Sequence, residues 1–377
     1  MIDKSILDKS SLCSRCNYCY VCPIYSADGW ESSSPRGKLY ILKCISEKSL
    51  SLDAEVLNEL FKCTTCGSCE VACQVEIPLI NLWESLRANL NKNGYVLPVH
   101  KKLKERAIKE WNPYGESKGR RADWFNLKVN KDSEILYFAG CTTSYRTAEI
   151  AKSTVEIFSK VGLEFNYAGV EEYCCGSPFF RTGQLDIAEK LFLKNFRVWK
   201  GMGVKKIVTS CAGCYRTIAA DYPALAEKYN YNFDFEVIHT VEILNDILKD
   251  VDLNELNITA TYHDPCHLGR HMGIYDEPRN VMKKLGVNLI EMERNRENAF
   301  CCGAGGGVRS QFKELSFEIG KLRSMDVLET KADYLVSCCP FCKLHLSQSL
   351  KSLNKEVVVV DLVEIVNESL NGNVLER

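Results

Sequence analysis

Five cysteines in the order C-x32-CCG-x34-CxxC, at Cys141, Cys174, Cys175, Cys211 and Cys214, recur as C-x34-CCG-x35-CxxC at Cys266, Cys301, Cys302, Cys339 and Cys342. Corresponding cysteines are offset by 125 residues for the first, 127 for the CCG pair and 128 for the CxxC pair. A drift this small over a whole unit marks an internal duplication, so whatever fold one copy adopts, the other adopts too. Neither CCG pair reads as a disulfide. Adjacent Cα atoms lie about 3.8 Å apart, closer than the roughly 4.4–6.8 Å an unstrained bridge prefers. The paired thiolates must serve something outside the chain.

Around these cysteines the sequence alternates between strand and helix patterns. EILYFAG reads as a strand ending before Cys141. A helix follows from about Thr143, with Ala148, Ala151, Val155 and Phe158 at helical spacing, and stops at Gly162. A short strand precedes the first CCG, then a helix burying Leu185, Ala188, Phe192, Phe196 and Trp199, and KKIVTS leads into Cys211. The second copy repeats the plan. ITATYHDP leads to Cys266, a helix begins near Pro278, and the strand LIEM precedes Cys301. A helix burying Phe312, Leu315, Ile319 and Leu322 follows, and YLVS leads into CCPFC. This predicts two related α/β domains, over residues 130–255 and 256–377, after a helical domain over 1–125. NPYGESKGRRADW, from Asn112, reads as a linker between them.

The first segment shows no strand pattern, and Asp53 to Phe61 and Asn81 to Asn91 read as helical. It carries two further cysteine runs, CSRCNYCYVCP from Cys13 and CTTCGSCEVAC from Cys63. A C-x2-C-x2-C loop can wrap three corners of a 4Fe–4S cubane, and in two-cluster ferredoxins the fourth ligand comes from the other motif. Cys13, Cys16 and Cys19 are therefore assigned with Cys73, and Cys63, Cys66 and Cys69 with Cys22. The first run departs from the bacterial pattern by having two residues before Cys22, and the second has Gln74 where Pro is usual. Zinc also uses CxxC pairs, but four cysteines in each run favour iron–sulfur. The five-cysteine units exceed what a tetrahedral zinc or one cubane requires.

Composition narrows the class. Twenty cysteines in 377 residues, without an apolar export signal in MIDKSILDKSS, point to metal rather than a secreted disulfide scaffold. A net charge of −1 gives no reason to expect nucleic acid as a partner. VVVVDLVEIV is too short for a bilayer and is broken by Asp361. A cytoplasmic protein is expected, with room for docking on a membrane partner.

The arrangement resembles the duplicated CCG domain of heterodisulfide reductase and its relatives, which include iron–sulfur subunits of glycolate and lactate oxidases. Paired ferredoxin motifs followed by two CCG units look like the D-type heterodisulfide reductase subunit, and NPYGESKGRRADW, DPCHLGRHMG and ERNRENAFCCGAGGG look like family stretches. The resemblance implies an oxidoreductase of α/β class holding two 4Fe–4S cubanes and two noncubane 4Fe–4S clusters, one per CCG unit. It implies a disulfide substrate such as the coenzyme M–coenzyme B heterodisulfide, and a redox partner subunit that is a flavoprotein or a membrane cytochrome. The competing functions are electron transfer for a flavin-dependent 2-hydroxyacid dehydrogenase and a non-enzymatic redox sensor or cluster carrier.

Gly176 and Gly303 either let the backbone offer N–H groups to cluster sulfur or are plain turn glycines. GAGGG is no dinucleotide fingerprint, because Val308 stands where the last glycine belongs. Cys44 and Cys338 read as buried structural thiols. Lys101 to Lys109 reads as a solvated helix face. His263, His267 and His271 either deliver protons or a positive charge to the site, or cap helices. Duplicated units commonly pack about a pseudo-twofold axis, so the two clusters should face one cleft, with Arg270, His271 and Arg309 at its entrance to draw in an anionic disulfide.

Overall fold

The computed structural model describes residues 2–126 and 129–372. The boundary expected between residues 125 and 130 falls partly on 127 and 128, outside the described residues, as do the outer ends of the first and last expected domains. Before Ile135 the described residues form helices and loops without a strand. Helix starts follow local chemistry. The Ser34 hydroxyl accepts from the Gly37 N–H at 2.9 Å ahead of Pro35–Ser46, and the Asp53 carboxylate accepts from the Val56 N–H at 2.9 Å ahead of Ala54–Phe61. Leu82, Trp83, Leu86 and Leu90 of the helix Leu79–Lys92 pack with Leu39, Leu42, Leu60 and Phe61 into the first core.

Two parallel sheets follow. The first has strands in the order β1 (Ile135–Tyr137), β2 (Lys206–Thr209), β3 (Glu236–His239). The second runs β5 (Asn288–Leu289), β4 (Thr259–His263), β6 (Tyr334–Ser337), β7 (Val358–Asp361). β1, β2 and β3 thus correspond to β4, β6 and β7. The strand expected before the first CCG is a single parallel bridge, Leu136 with Asn166, where the second repeat has β5. Every residue of β6 is buried, as a parallel strand covered on both faces requires. The duplication extends to the helix caps. His239 with Glu242, and Asp361 with Glu364, close equivalent capping boxes at the ends of β3 and β7.

The repeats pack about a pseudo-twofold axis. The helix Ala148–Lys160 lies against Leu362–Asn371, and Thr240–Ile247 lies against Asp276–Lys284. Ala148–Lys160 corresponds by duplication to Asp276–Lys284, and Thr240–Ile247 to Leu362–Asn371, so each contact is the counterpart of the other. Lys343 Nζ to Glu149 Oε1 at 2.9 Å and Asn367 Nδ2 to Glu156 Oε2 at 2.6 Å tie the halves further.

Three local readings need correction. NPYGESKGRRADW is not a spacer. Asn112, Arg121 and Trp124 are buried in it, because Arg121 is drawn into an ion pair inside the first repeat. Leu185 is exposed at the start of its helix, and Ile187 and Leu191 take its place on the buried face. Phe312, which caps the helix Lys313–Glu329, and Leu315 and Leu322 within it turn only partly inward, toward Ile24 and Val308. Its fully buried face is mostly polar, Ser316, Gly320, Arg323 and Ser324, packed on the helix Pro340–Ser352.

Candidate metal centres

The helical domain contains two small cavities lined by cysteine. Cys13, Cys16, Cys19 and Cys73 surround the outer one, with Arg36 on its wall. Cys22, Cys63, Cys66 and Cys69 surround the inner one, with Lys38 on its wall. Main-chain N–H groups already point at sulfur here, Thr65 to Cys63 Sγ and Ile77 to Cys73 Sγ, each at 3.4 Å. Burial pushes the Cys19 thiol up to about 11 and the Cys22 thiol up to about 12. Thiolates at these positions therefore need a cation or metal to hold their charge.

All ten cysteines of the repeated pattern line a third cavity, of about 320 Å³, between the two α/β halves. Cys174 and Cys175, with Cys301 and Cys302, sit on the loops before Ser177–Thr182 and Val308–Gln311, and the CxxC pairs start the helices after β2 and β6. Gly176 and Gly303 are left-handed, φ +87° and +94°, and each donates its N–H at 3.4 Å to the first sulfur of its own pair, Cys174 or Cys301. Cys302 Sγ lies 3.5 Å from Cys342 Sγ. Across the pseudo-twofold, Cys211 and Cys339 line the same cavity, and Cys66 of the inner cavity shares a core with Cys301. Sulfur thus forms a nearly continuous path from the helical domain into the second repeat and on to the first.

The GAGGG segment makes that path close. A Cβ on Gly305 would stand 2.6 Å from the Thr64 carbonyl oxygen, and one on Gly306 2.0 Å from that of Cys63. Only glycine lets the loop after Cys302 lie directly on the Cys63 loop. Arg87 clamps the junction. Its guanidinium donates to the carbonyls of Phe61 (2.7 Å), Cys63 (2.8 Å), Arg181 (2.7 Å) and Gly306 (3.0 Å), one from each repeat and two from the helical domain.

Arg309 lines the large cavity, donating Nη2 to Gln348 Oε1 at 2.6 Å and stacking over Phe341. Arg270 and His271 do not line it. Arg270 donates to the carbonyls of Cys66 (2.7 Å), Glu297 (3.1 Å) and Ala299 (2.6 Å), which turns it into the seam between domains. His271 packs against Gly67 of that seam and on His267, ring centroids 4.5 Å apart. Burial pushes His263 and His271 down to about 3, and His267 likewise down, so none forms a positive lip. Cys338 is buried away from the cavity beside Tyr262, whereas Cys44 is half-exposed rather than buried.

Several residues escaped the sequence reading. Arg106, on the helix read as solvated, reaches the large cavity with Leu103, and Tyr114 of the supposed linker joins them. Arg121 donates Nη1–H to Cys141 Sγ at 3.4 Å while Glu172 Oε1 holds Nε at 3.0 Å, both residues 1% exposed. Glu172 is fixed in turn by the N–H groups of Ala139 and Gly140, each at 2.9 Å. The one visible signal was Arg87, a lone arginine on the stripe of Trp83, Leu86 and Leu90.

The donor sets fit sulfur-bound iron. Four thiols meet at each small cavity and two sets of five at the large one, with N–H groups on sulfur and buried cations nearby to balance negative charge.

Residues 9–77 match the 4Fe-4S dicluster domain family, and residues 135–219 and 260–347 each match the Cysteine-rich domain family, CCG. The chain is 37% identical over 384 residues to the D-type subunit of dihydromethanophenazine:CoB--CoM heterodisulfide reductase from Methanosarcina mazei, covering 95% of this chain and 93% of the relative. It is 33% identical to the B-type subunit of fumarate reductase (CoM/CoB) from Methanothermobacter marburgensis, covering 93% of this chain and 71% of that protein. It is 32% identical to EtfAB:quinone oxidoreductase of Syntrophomonas wolfei, covering 85% of this chain and 48% of that protein. With a dicluster domain, a duplicated CCG domain and this full-length similarity, the chain belongs to the D-type heterodisulfide reductase family of iron–sulfur oxidoreductases.

Proposed function

We propose that this chain is the disulfide-reducing component of an oxidoreductase complex. Cys13, Cys16, Cys19 and Cys73 would hold one 4Fe–4S cubane, and Cys22, Cys63, Cys66 and Cys69 a second. Cys141, Cys174, Cys175, Cys211 and Cys214 would hold one noncubane 4Fe–4S cluster, and Cys266, Cys301, Cys302, Cys339 and Cys342 the other. The observation that carries the reading is that all ten cysteines of the repeats line one cavity, large enough to admit part of a small molecule. When bound, the clusters supply one-electron transfer and iron sites for sulfur. The net reaction is RS–SR′ + 2e⁻ + 2H⁺ → RSH + R′SH, with electrons from a partner flavoprotein or cytochrome.

The chain's own residues bind and shield. Arg309 and Arg106 offer positive charge to an anionic substrate, and Leu103, Tyr114 and Phe341 give its organic part an apolar wall. The N–H groups of Gly176 and Gly303 hold Cys174 and Cys301 in place from outside the cavity. The substrate class follows the Methanosarcina relative, whose name specifies the CoB–CoM heterodisulfide.

The test is iron and sulfide analysis of anaerobically purified protein together with viologen-linked reduction of that heterodisulfide. About 16 irons per chain, four for each of four clusters, and turnover are expected. Iron near eight (about two clusters) with the helical domain fully loaded overturns the noncubane assignment. Full iron without disulfide turnover, but with electron transfer from a co-purified flavoprotein, reassigns the chain to a dehydrogenase relay.

A further inference from the structure

Three cations stand at the inner cavity of Cys22, Cys63, Cys66 and Cys69, Lys38 and Arg87 buried and Arg270 half-buried, and among the described residues none forms an ion pair with a carboxylate. Lys38 is 2% exposed, lines that cavity, and donates its ammonium to the carbonyls of Ser33, at 2.7 Å, and Lys62. Arg87 is fully buried, its charge directed at carbonyls that include Cys63. Glu84, one turn away on the same helix, is already engaged by Arg181 at 3.1 Å and Arg216 at 3.5 Å. Arg270 bonds the Cys66 carbonyl and two others, and its Nη2 is buried without a partner.

Lysine and arginine are almost never fully buried unless something balances their charge. The carbonyls offer dipoles but no net charge. Lys38 on the wall, Arg87 on the Cys63 carbonyl and Arg270 on the Cys66 carbonyl together imply that the occupant of this four-thiol cavity is an anion. The outer cavity is built differently. Its Arg36 is paired with Glu31 at 2.8 Å, and its Cys16 is exposed to water.

We propose that Lys38, Arg87 and Arg270 form a charge-compensating cage that makes the inner four-cysteine site the place where this chain holds an incoming electron. The proposal rests on the cluster reading above. Reduction there takes one electron from a one-electron donor, which is oxidised by the same count, and adds one negative charge. Cations already fixed in the low-dielectric interior offset that charge without uptake of a proton, and net charge around a cluster is one of the levers that set its potential. The location suits the role, because Cys66 is also the inner ligand that shares a core with Cys301 of the second repeat. An electron held at this site stands next to its next acceptor.

The experiment is potentiometry of the anaerobically purified full chain, read by EPR, with Cys16→Ser used to identify the outer signal. Arg270→Gln and Lys38→Gln should each shift the inner signal to lower potential and leave the outer signal in place. Arg270→Lys keeps the charge but cannot fork to three carbonyls, and it should stay at the wild-type potential. Inner potentials unchanged in both Gln variants at full iron content overturn the cage. So does an Arg270→Lys variant that falls as far as Arg270→Gln, which would make the residue a strut. If Arg270→Gln loses iron, Lys38→Gln decides, since Lys38 makes no bond to either repeat. Absence of any second cubane signal in the wild type overturns the cluster reading and the cage together, so the two failures are distinguishable.

Discussion

Gly306→Ala should break the junction between the helical domain and the second repeat. A Cβ there would sit 2.0 Å from the Cys63 carbonyl oxygen and 2.8 Å from Thr64 Cα, and all of these obstructing atoms are backbone. Reaching ordinary contact needs about 1.4 Å of retreat by one loop. The same guanidinium holds both sides, Arg87 to Gly306 O at 3.0 Å and to Cys63 O at 2.8 Å, so a retreat stretches or loses two charge-assisted hydrogen bonds. Each contributes roughly 1.5–3 kcal/mol. Alanine at φ +62° adds about 1–2 kcal/mol. The expected loss is about 4–8 kcal/mol, well beyond the usual ~1 kcal/mol for a substitution. Urea unfolding should measure it against Gly94→Ala, which has φ +86° but nothing within 4 Å and so carries only the conformational cost. If the two variants agree within about 0.5 kcal/mol, the loop is not held against Cys63 and the reasoning fails.

Cys73→Ser should damage the signal of the Cys13, Cys16 and Cys19 site and spare that of Cys63, Cys66 and Cys69, whereas Cys22→Ser should do the reverse; EPR and iron analysis check both, and matching losses within each sequence run would show self-contained motifs. Arg106→Gln and Arg309→Gln should each raise KM for the anionic disulfide about three- to tenfold with kcat little changed, and weaken the dependence of kcat/KM on salt. An unchanged KM in both variants would remove these arginines from substrate binding.

The repeat arithmetic made the architecture legible. Cysteines offset by 125 to 128 residues implied two like domains, and strands did end just before Cys141, Cys211, Cys266 and Cys339 in equivalent places. Period and length could also be read for Ala54–Phe61 and Leu79–Lys92. What could not be read was long-range. Arg121 lies in a polar, glycine-bearing stretch whose composition marks a linker, and only the buried carboxylate of Glu172, 51 residues on, makes it part of a core. Arg270 sits four residues after Cys266, where a basic residue reads as a substrate lip. Its three carbonyl partners lie up to 204 residues away, and no local pattern encodes them. The purpose of GAGGG, close backbone approach to Cys63, needs the other loop to be visible. A buried cation bonded only to carbonyls leaves almost no trace in sequence beyond a charge on an apolar stripe, which is why Lys38 and Arg87 passed unnoticed.

The reciprocal pairing of Ala148–Lys160 with Leu362–Asn371, and of Asp276–Lys284 with Thr240–Ile247, is the contact set of a symmetric homodimer written into one polypeptide. A dimer of identical units comes apart on dilution, and its central cavity goes with it. Covalent fusion removes that dependence, because the second half is always present at high effective concentration. It also frees the walls to diverge. In a homodimer, any residue that suited docking on the helical domain would appear twice and be idle once. Here the sequence after CCG is AGGG in the half that meets Cys63 and SPFF in the half that does not.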